Sequence, residues 1–165
     1  MATSSIDDSG ATAVDRYSWT YLGSLRTDTG GGLVFPPVAA EPGIYRFLIE
    51  DGMQPVAGYI GQAKRSLATR FGLYRSRGKK PKLPLDQKTT SRIATRLLHE
   101  LASGRHVRVE FVEDLATYPD GRVKVLDFTD KVIRASVERQ AILELCETGI
   151  EVLNRDGNPQ WEAPR

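Results

Sequence analysis

Gly43-Ile44-Tyr45-Arg46-Phe47-Leu48-Ile49-Glu50-Asp51-Gly52-Met53-Gln54-Pro55-Val56-Ala57-Gly58-Tyr59-Ile60-Gly61 is the stretch on which the fold turns. An apolar run opens at Gly43-Ile44-Tyr45 and continues through Phe47 and Ile49. Asp51-Gly52 breaks it, and Asp-Gly between two strand-like runs is a strong hairpin signal. The return run, Val56 to Ile60, is expected to end at Gly61. Strands over about 43–50 and 56–61 then place Tyr45 and Tyr59 on adjacent antiparallel strands. Directly opposed residues there lie about 5 Å apart and diagonal ones about 8 Å. A basic helix follows, so two phenols on a rigid sheet stand beside a cluster of cations.

The charge distribution agrees with a polyanion-binding face. Net charge is only +2 over 165 residues. Between Lys64 and Arg96, however, lie eleven basic residues, opposed only by Asp86, while the rest of the chain carries 12 basic and 20 acidic side chains. Such asymmetry is the footprint of nucleic-acid binding. The bland alternative is a solvated charge run, disfavoured here because the block directly follows the paired tyrosines.

A chain of this length, 40% hydrophobic, is expected to form one domain around a sizeable core. No window approaches the roughly 18 consecutive apolar residues of a membrane span. The first fourteen residues, rich in Ser, Thr, Ala and Asp, lack the basic and apolar segments of a secretion signal. Cys146 is the single cysteine, which excludes an internal disulfide framework and a multi-cysteine zinc site. The expected compartment is the reducing cytoplasm.

Residues 1–13 are expected to be disordered. Residues 14–42 form an N-terminal extension in which Trp19, Tyr21, Leu22 and Leu25 pack onto the domain; Pro36, Pro37 and Pro42 exclude a helix there. Ser66 caps a helix over about 67–74, with Leu67, Phe71 and Tyr74 at helical spacing. Ser76 to Pro84 is a basic loop. Thr89-Thr90-Ser91 opens a second helix with Ile93, Leu97, Leu98 and Leu101 on one stripe, ended by Gly104. Residues 105–113 alternate Val107, Val109 and Phe111 inward as a third strand. Pro119-Asp120-Gly121 is a turn, and Val123 to Phe128 is a short strand or an extended linker. The longest helix spans about 130–147, burying Ile133, Val137, Ala141 and Leu145, and Gly149 closes it. Residues 150–153 are extended. Residues 155–165 form a polar tail whose Trp161 is expected to dock back. The order β-β-α-α-β-α specifies an α/β (α+β) fold.

These residues resemble the GIY-YIG nuclease family. Both tripeptides stand unaltered, Gly43-Ile44-Tyr45 and Tyr59-Ile60-Gly61, with thirteen residues between the two tyrosines. That is slightly more than the family pattern, an excess a longer hairpin turn would absorb. The ordered pair with a basic helix behind it is far more specific than either tripeptide alone. The resemblance covers about residues 43–154 and implies a small central three-stranded antiparallel sheet flanked by helices. It implies a metal-dependent endonuclease hydrolysing phosphodiester bonds of double-stranded DNA, with Mg²⁺ (or Mn²⁺) as cofactor.

Such hydrolysis needs an in-line water, a way to deprotonate it, and positive charge on the phosphate. The resemblance implies that Tyr45 positions or deprotonates the water and that Tyr59 assists. Arg70 would clamp the scissile phosphate; it lies one residue later than the family pattern, where Thr69 could not do this work. Tyr74, four residues on, is a candidate for proton transfer or phosphate contact. Glu138 would hold the metal. Ile142 and Leu145 follow at i+4 and i+7, so its carboxylate sits beside an apolar stripe, which is costly without a partner. A Mg²⁺ ion is one such partner, and Arg134, four residues earlier, is another. Glu144, Glu147 and Glu151 are rivals nearer the helix end. Lys64, Arg75, Arg77, Lys79, Lys80, Lys82, Arg92, Arg96 and Asn154 are expected to contact nucleic acid. His99 and His106, seven apart, do not suggest a metal pair.

The competing expectation is a nucleic-acid-binding module that keeps the scaffold without the chemistry. A small-molecule enzyme would instead show a deep apolar pocket. The observation that bears on these most directly is whether Tyr45, Tyr59, Arg70 and Glu138 converge on one concave basic surface.

Overall fold

The Asp51-Gly52 signal makes the hairpin it predicts. Gly52 adopts φ +63° and, with Met53, forms a two-residue turn between paired Asp51 and Gln54. The computed structural model describes residues 16–77, 88–118, 120–159 and 161. Its elements are β1 (Arg16–Ser24), β2 (Arg26–Thr27), β3 (Leu33–Val34), β4 (Gly43–Asp51), β5 (Gln54–Ala63), α1 (Leu67–Arg77), α2 (Lys88–Ala102), β6 (His106–Thr117), β7 (Val123–Val125), α3 (Lys131–Glu147) and β8 (Glu151–Val152). The expected disorder of residues 1–13, the loop beyond Arg77 that carries Lys79, Lys80 and Lys82, and Pro119 lie outside the described residues. No helix among the described residues is long and apolar enough to cross a membrane.

The sheet has six strands, not three. Its order is β1-β6-β4-β5-β8, with β7 paired to β6; β8 runs parallel to β5 and the other pairings are antiparallel. The three expected strands form its centre. β1 is the largest addition: the expected packing segment is a full strand along β6. Two register shifts, between Tyr17 and Trp19 and between Tyr21 and Gly23, interrupt its pairing. They break the period-2 pattern by which a strand is recognised.

The hairpin turn is not the longer one expected: it has two residues, and an extra residue lies in the strand. Ile49 pairs with Ala57 but Glu50 with Pro55, so Val56 is the extra residue of a bulge.

β4 is buried on both faces because helices cover both. Tyr45, Phe47 and Ile49 face α1 and α2, where Phe71, Tyr74, Ile93 and Leu97 meet them. Ile44 and Leu48 face Val137, Ala141, Ile142 and Leu145 of α3. Asp130 caps α3 by accepting the Val132 N–H, and Gly149, at φ +79°, follows its end. Of the expected α3 core, Val137, Ala141 and Leu145 are buried and Ile133 is half-buried.

One ion cluster joins α2 to the sheet edge. Glu100, with 4% of its side chain exposed, accepts from Arg96 at 2.6 Å and from Arg105 at 2.9 Å. Burial raises its carboxyl pKa, but the two guanidiniums outweigh it and hold the group below its ordinary range. A depressed folded-state value contributes stability above the unfolded pKa, near 4.3, and loses it as pH falls through the folded one. Glu100→Ala is therefore expected to lower stability at pH 7 by about 1.5–3 kcal/mol. It should also flatten the loss of stability below about pH 4, both read by denaturant melts across pH.

Candidate functional site

Pairing of β4 with β5 sets Tyr45 opposite Gly61 and Tyr59 opposite Phe47. The two tyrosines are diagonal neighbours, with ring centroids 6.4 Å apart. Gly61 does not end its strand, which continues to Ala63. Its role is clearance: a Cβ there would lie 2.3 Å from the Tyr45 hydroxyl oxygen. The phenol of the first tripeptide thus crosses the backbone of the second, which physically links the two motifs.

Tyr45 is fully buried. Its hydroxyl lies 2.7 Å from that of Tyr74, itself fully buried, and accepts the Arg70 Nε–H at 3.1 Å. The rings of Phe47 and Phe71 enclose it. Burial pushes both phenols above their ordinary range; the Arg70 charge opposes this without prevailing. Both are neutral phenols near pH 7. Expected at the attacking water, Tyr45 instead holds a guanidinium from beneath, and neither it nor Tyr74 lines the two clefts that meet at Gln62, among the described residues.

Tyr59 does line one. A cleft of about 330 Å³ is bounded by Tyr59, Gln62, Arg92, Glu138, Asn154 and Asp156, among others. Glu138 enters it from the middle of α3, half-buried. Its Oε2 accepts the Gln62 Nε2–H at 2.7 Å, and its Oε1 makes no hydrogen bond among the described residues. Burial raises the Glu138 carboxyl pKa, against the Gln62 hydrogen bond and the Arg70 charge. Arg134 is not its salt-bridge partner. That guanidinium is buried and donates to Gln62 Oε1 at 3.2 Å and to the carbonyls of Phe128 and Thr129 at 2.7 and 2.9 Å. A second cleft, of about 540 Å³, shares Gln62 with the first and is lined by Lys64, Arg65, Ser66, Thr69 and Arg70.

The first cleft presents carboxylate oxygens of the kind a hard divalent cation takes. Mg²⁺ takes one or two carboxylates and keeps several waters. Glu138 offers an open oxygen, and Asp156 lines the same cleft near enough to raise the Glu138 carboxyl. No group of three or more His, Cys, Asp or Glu is placed to hold a metal among the described residues. The rival glutamates are elsewhere: Glu144 accepts from Tyr17, Glu147 is exposed, and Glu151 pairs with Arg96.

The expected nucleic-acid contacts divide in the same way. Lys64 and Arg75 are exposed, Lys64 on the second cleft. Arg92 lines the first, donating to the Leu153 carbonyl at 2.8 Å, and the ring of Trp161, which stays exposed, has its centroid 6.0 Å from that guanidinium. Arg96 is committed to Glu100 and, bidentately, to Glu151 at 3.0 and 2.7 Å, so its charge is neutralised within the fold. The Asn154 amide is buried and fastens the Ile60 backbone at both ends, at 2.9 and 2.8 Å. It holds the chain after β8 to β5 and lines the first cleft. The Arg77 side chain, Lys79, Lys80 and Lys82 lie outside the described residues. His99 and His106 are both exposed.

Sequence reasoning missed Gln62, and the alternative it offered for Glu138, a salt bridge with Arg134, does not form. Gln62 carried one signal, its position directly after the second tripeptide. Arg134 carried another, a cation one turn before Glu138.

No family model matches the chain, and no curated protein matches it. Among solved structures, a mutant of bacteriophage T4 EndoII has a similar fold. Its TM-score is 0.50 at 18% sequence identity, over 81% of this chain and 90% of that one.

Proposed function

We propose that this chain is a GIY-YIG-type endonuclease that hydrolyses phosphodiester bonds of DNA with a divalent cation. One observation carries the reading: Tyr59 and Glu138 line a cleft that shares Gln62 with the cleft of Arg70. The fold likeness to phage EndoII supports the same class. Glu138, with Asp156 beside it, would hold Mg²⁺ or Mn²⁺. The ion would supply positive charge for the phosphate and acidify a water.

The chain's own groups divide the remaining work. Arg70 spends its Nε–H on Tyr45, which leaves both terminal nitrogens for a phosphate and fixes their plane. Tyr59, the phenol on the Glu138 cleft, orients the attacking water. Lys64, Arg65, Arg75 and Arg92 track the backbone of double-stranded DNA. Each phosphate they neutralise should add about 0.9 to the slope of log affinity against log salt. A reducing, cytoplasmic site of action belongs to the same reading.

The test is plasmid nicking by the wild-type chain in Mg²⁺ or Mn²⁺. Cleavage is expected with either ion, and removal of the ion with EDTA should abolish it while salt-dependent binding persists. Binding without cleavage of duplex, nicked or branched DNA would instead establish a binding module on this scaffold.

A further inference from the structure

Gln62 sits between two groups that cannot exchange roles. A guanidinium only donates hydrogen bonds and an ionised carboxylate only accepts them. Arg134 Nε–H approaches Gln62 at 3.2 Å, so the amide oxygen must face Arg134. Glu138 Oε2 approaches at 2.7 Å, so the amide nitrogen must face Glu138. Chemistry alone thus fixes the side-chain amide. Arg134 is itself fixed, being buried and donating through Nη1 to the carbonyls of Phe128 and Thr129 just before α3. That anchor, the amide and the carboxylate form one directed chain from the start of α3 to the cleft. Gln62 is also the residue shared by both clefts.

We infer that Arg134 and Gln62 are positioning residues for Glu138: Arg134 locks the Gln62 amide, and the amide occupies Glu138 Oε2 so that Oε1 is presented to a divalent cation. This inference rests on the proposed cation-dependent cleavage. The energetic logic is that of an outer shell around a metal ligand, where loss of the orienting group costs about 10–100-fold in metal affinity or activity. Arg134 is not among the residues of either cleft, and Gln62 acts through Glu138. Without Arg134 the amide is free to turn its carbonyl toward the carboxylate, replacing a hydrogen bond with a repulsion. Without Gln62 the carboxylate can rotate about its side-chain torsions and offer either oxygen, or neither, in a fixed direction.

The decisive measurement is Mn²⁺ binding to the DNA-free chain by calorimetry, together with kcat and KM for plasmid nicking. Gln62→Leu and Arg134→Met should each weaken Mn²⁺ binding about 10-fold or more and lower kcat with KM nearly unchanged. Gln62→Asn, which keeps the amide but shortens its reach, should recover part of the loss. The double variant should be little worse than Gln62→Leu alone, because Arg134 acts through Gln62; independent roles would add. Arg134 also holds the loop before α3, so Arg134→Met is checked by its melting curve. Gln62→Leu, which leaves that loop intact, carries the result should Arg134→Met fail to fold.

Unchanged Mn²⁺ affinity in Gln62→Leu, with binding lost in Glu138→Ala, would overturn the positioning roles and leave the cleavage reading standing. Additive losses in the double variant would overturn the link between Arg134 and Gln62. Mn²⁺ binding that survives in Glu138→Ala would overturn the cation site and this inference with it.

Discussion

Glu138→Ala is expected to reduce Mg²⁺-dependent nicking by about 10³-fold, roughly 4 kcal/mol of transition-state stabilisation, while DNA affinity changes by less than about threefold. The asymmetry follows from the place of the residue. Glu138 lies mid-helix on α3 and faces a cleft, so alanine removes the carboxylate without creating a sealed cavity. Alanine is also the best helix former. The carboxylate is partly desolvated and held by one hydrogen bond from Gln62. Its removal should therefore leave folding stability within about 1 kcal/mol, since the freed amide can bind water in the cleft. Glu138→Gln separates charge from shape, keeping the length of the side chain and losing the anion; it should be nearly as inactive. Nicking by Glu138→Ala within tenfold of wild type, with intact folding, would show that the cleft is not the catalytic one.

Gly61→Ala is expected to have the largest effect on the fold per atom added. The new methyl would stand 2.3 Å from the Tyr45 hydroxyl oxygen, far inside contact distance. Tyr45 cannot swing away, because it is fully buried and ringed by Phe47, Phe71 and Tyr74. Overpacking of this kind costs about 1–3 kcal/mol, a fall in Tm of about 2–10 °C for a domain of this size. The chemical consequence is separate. Displacing the Tyr45 hydroxyl breaks its bonds to Arg70 and Tyr74, so the guanidinium loses its support and nicking should fall at least about tenfold. Gly58→Ala is the control. Its added methyl meets Leu145 at 2.8 Å on the other side of the sheet, far from Arg70. It should cost less stability, with nicking per folded molecule retained. Equal loss of nicking in both variants would reduce the Gly61 effect to instability alone.

The hairpin shows how far local pattern carries. Asp51-Gly52 names the turn, and alternation along Val107 and Val109 names the third strand, because both signals are local and repeat at short period. β1 escaped because its two register shifts destroy that period. Its status as a strand is conferred by β6, some ninety residues away, which no local pattern can carry. β8, with two residues, has the same origin: its strand character comes from pairing with β5.

The site divides along the same line. Tyr45, Tyr59, Arg70 and Glu138 were legible as residue types at a spacing, and so was the cationic block between Lys64 and Arg96. Their roles were not. A sequence position does not say whether a side chain lines a cleft, and Tyr45 and Tyr59, so alike in the two tripeptides and both buried in one core cluster, differ in this. One is sealed under Arg70 and the other opens beside Glu138. Nor does it say that Arg96 would be neutralised by Glu100 and Glu151, or that Asn154 would be consumed by the Ile60 backbone.

The sequence by itself determined the hairpin, the helices, the two tripeptides and a carboxylate, Glu138, beside an apolar stripe, because each depends on neighbours within a few turns of chain. Only the tertiary structure decided what each group faces. Burial, hydrogen-bond direction and the partner of every charge are set by residues distant in sequence. Those same factors make Tyr45 a support for Arg70 and Gln62 the hinge between Arg134 and Glu138.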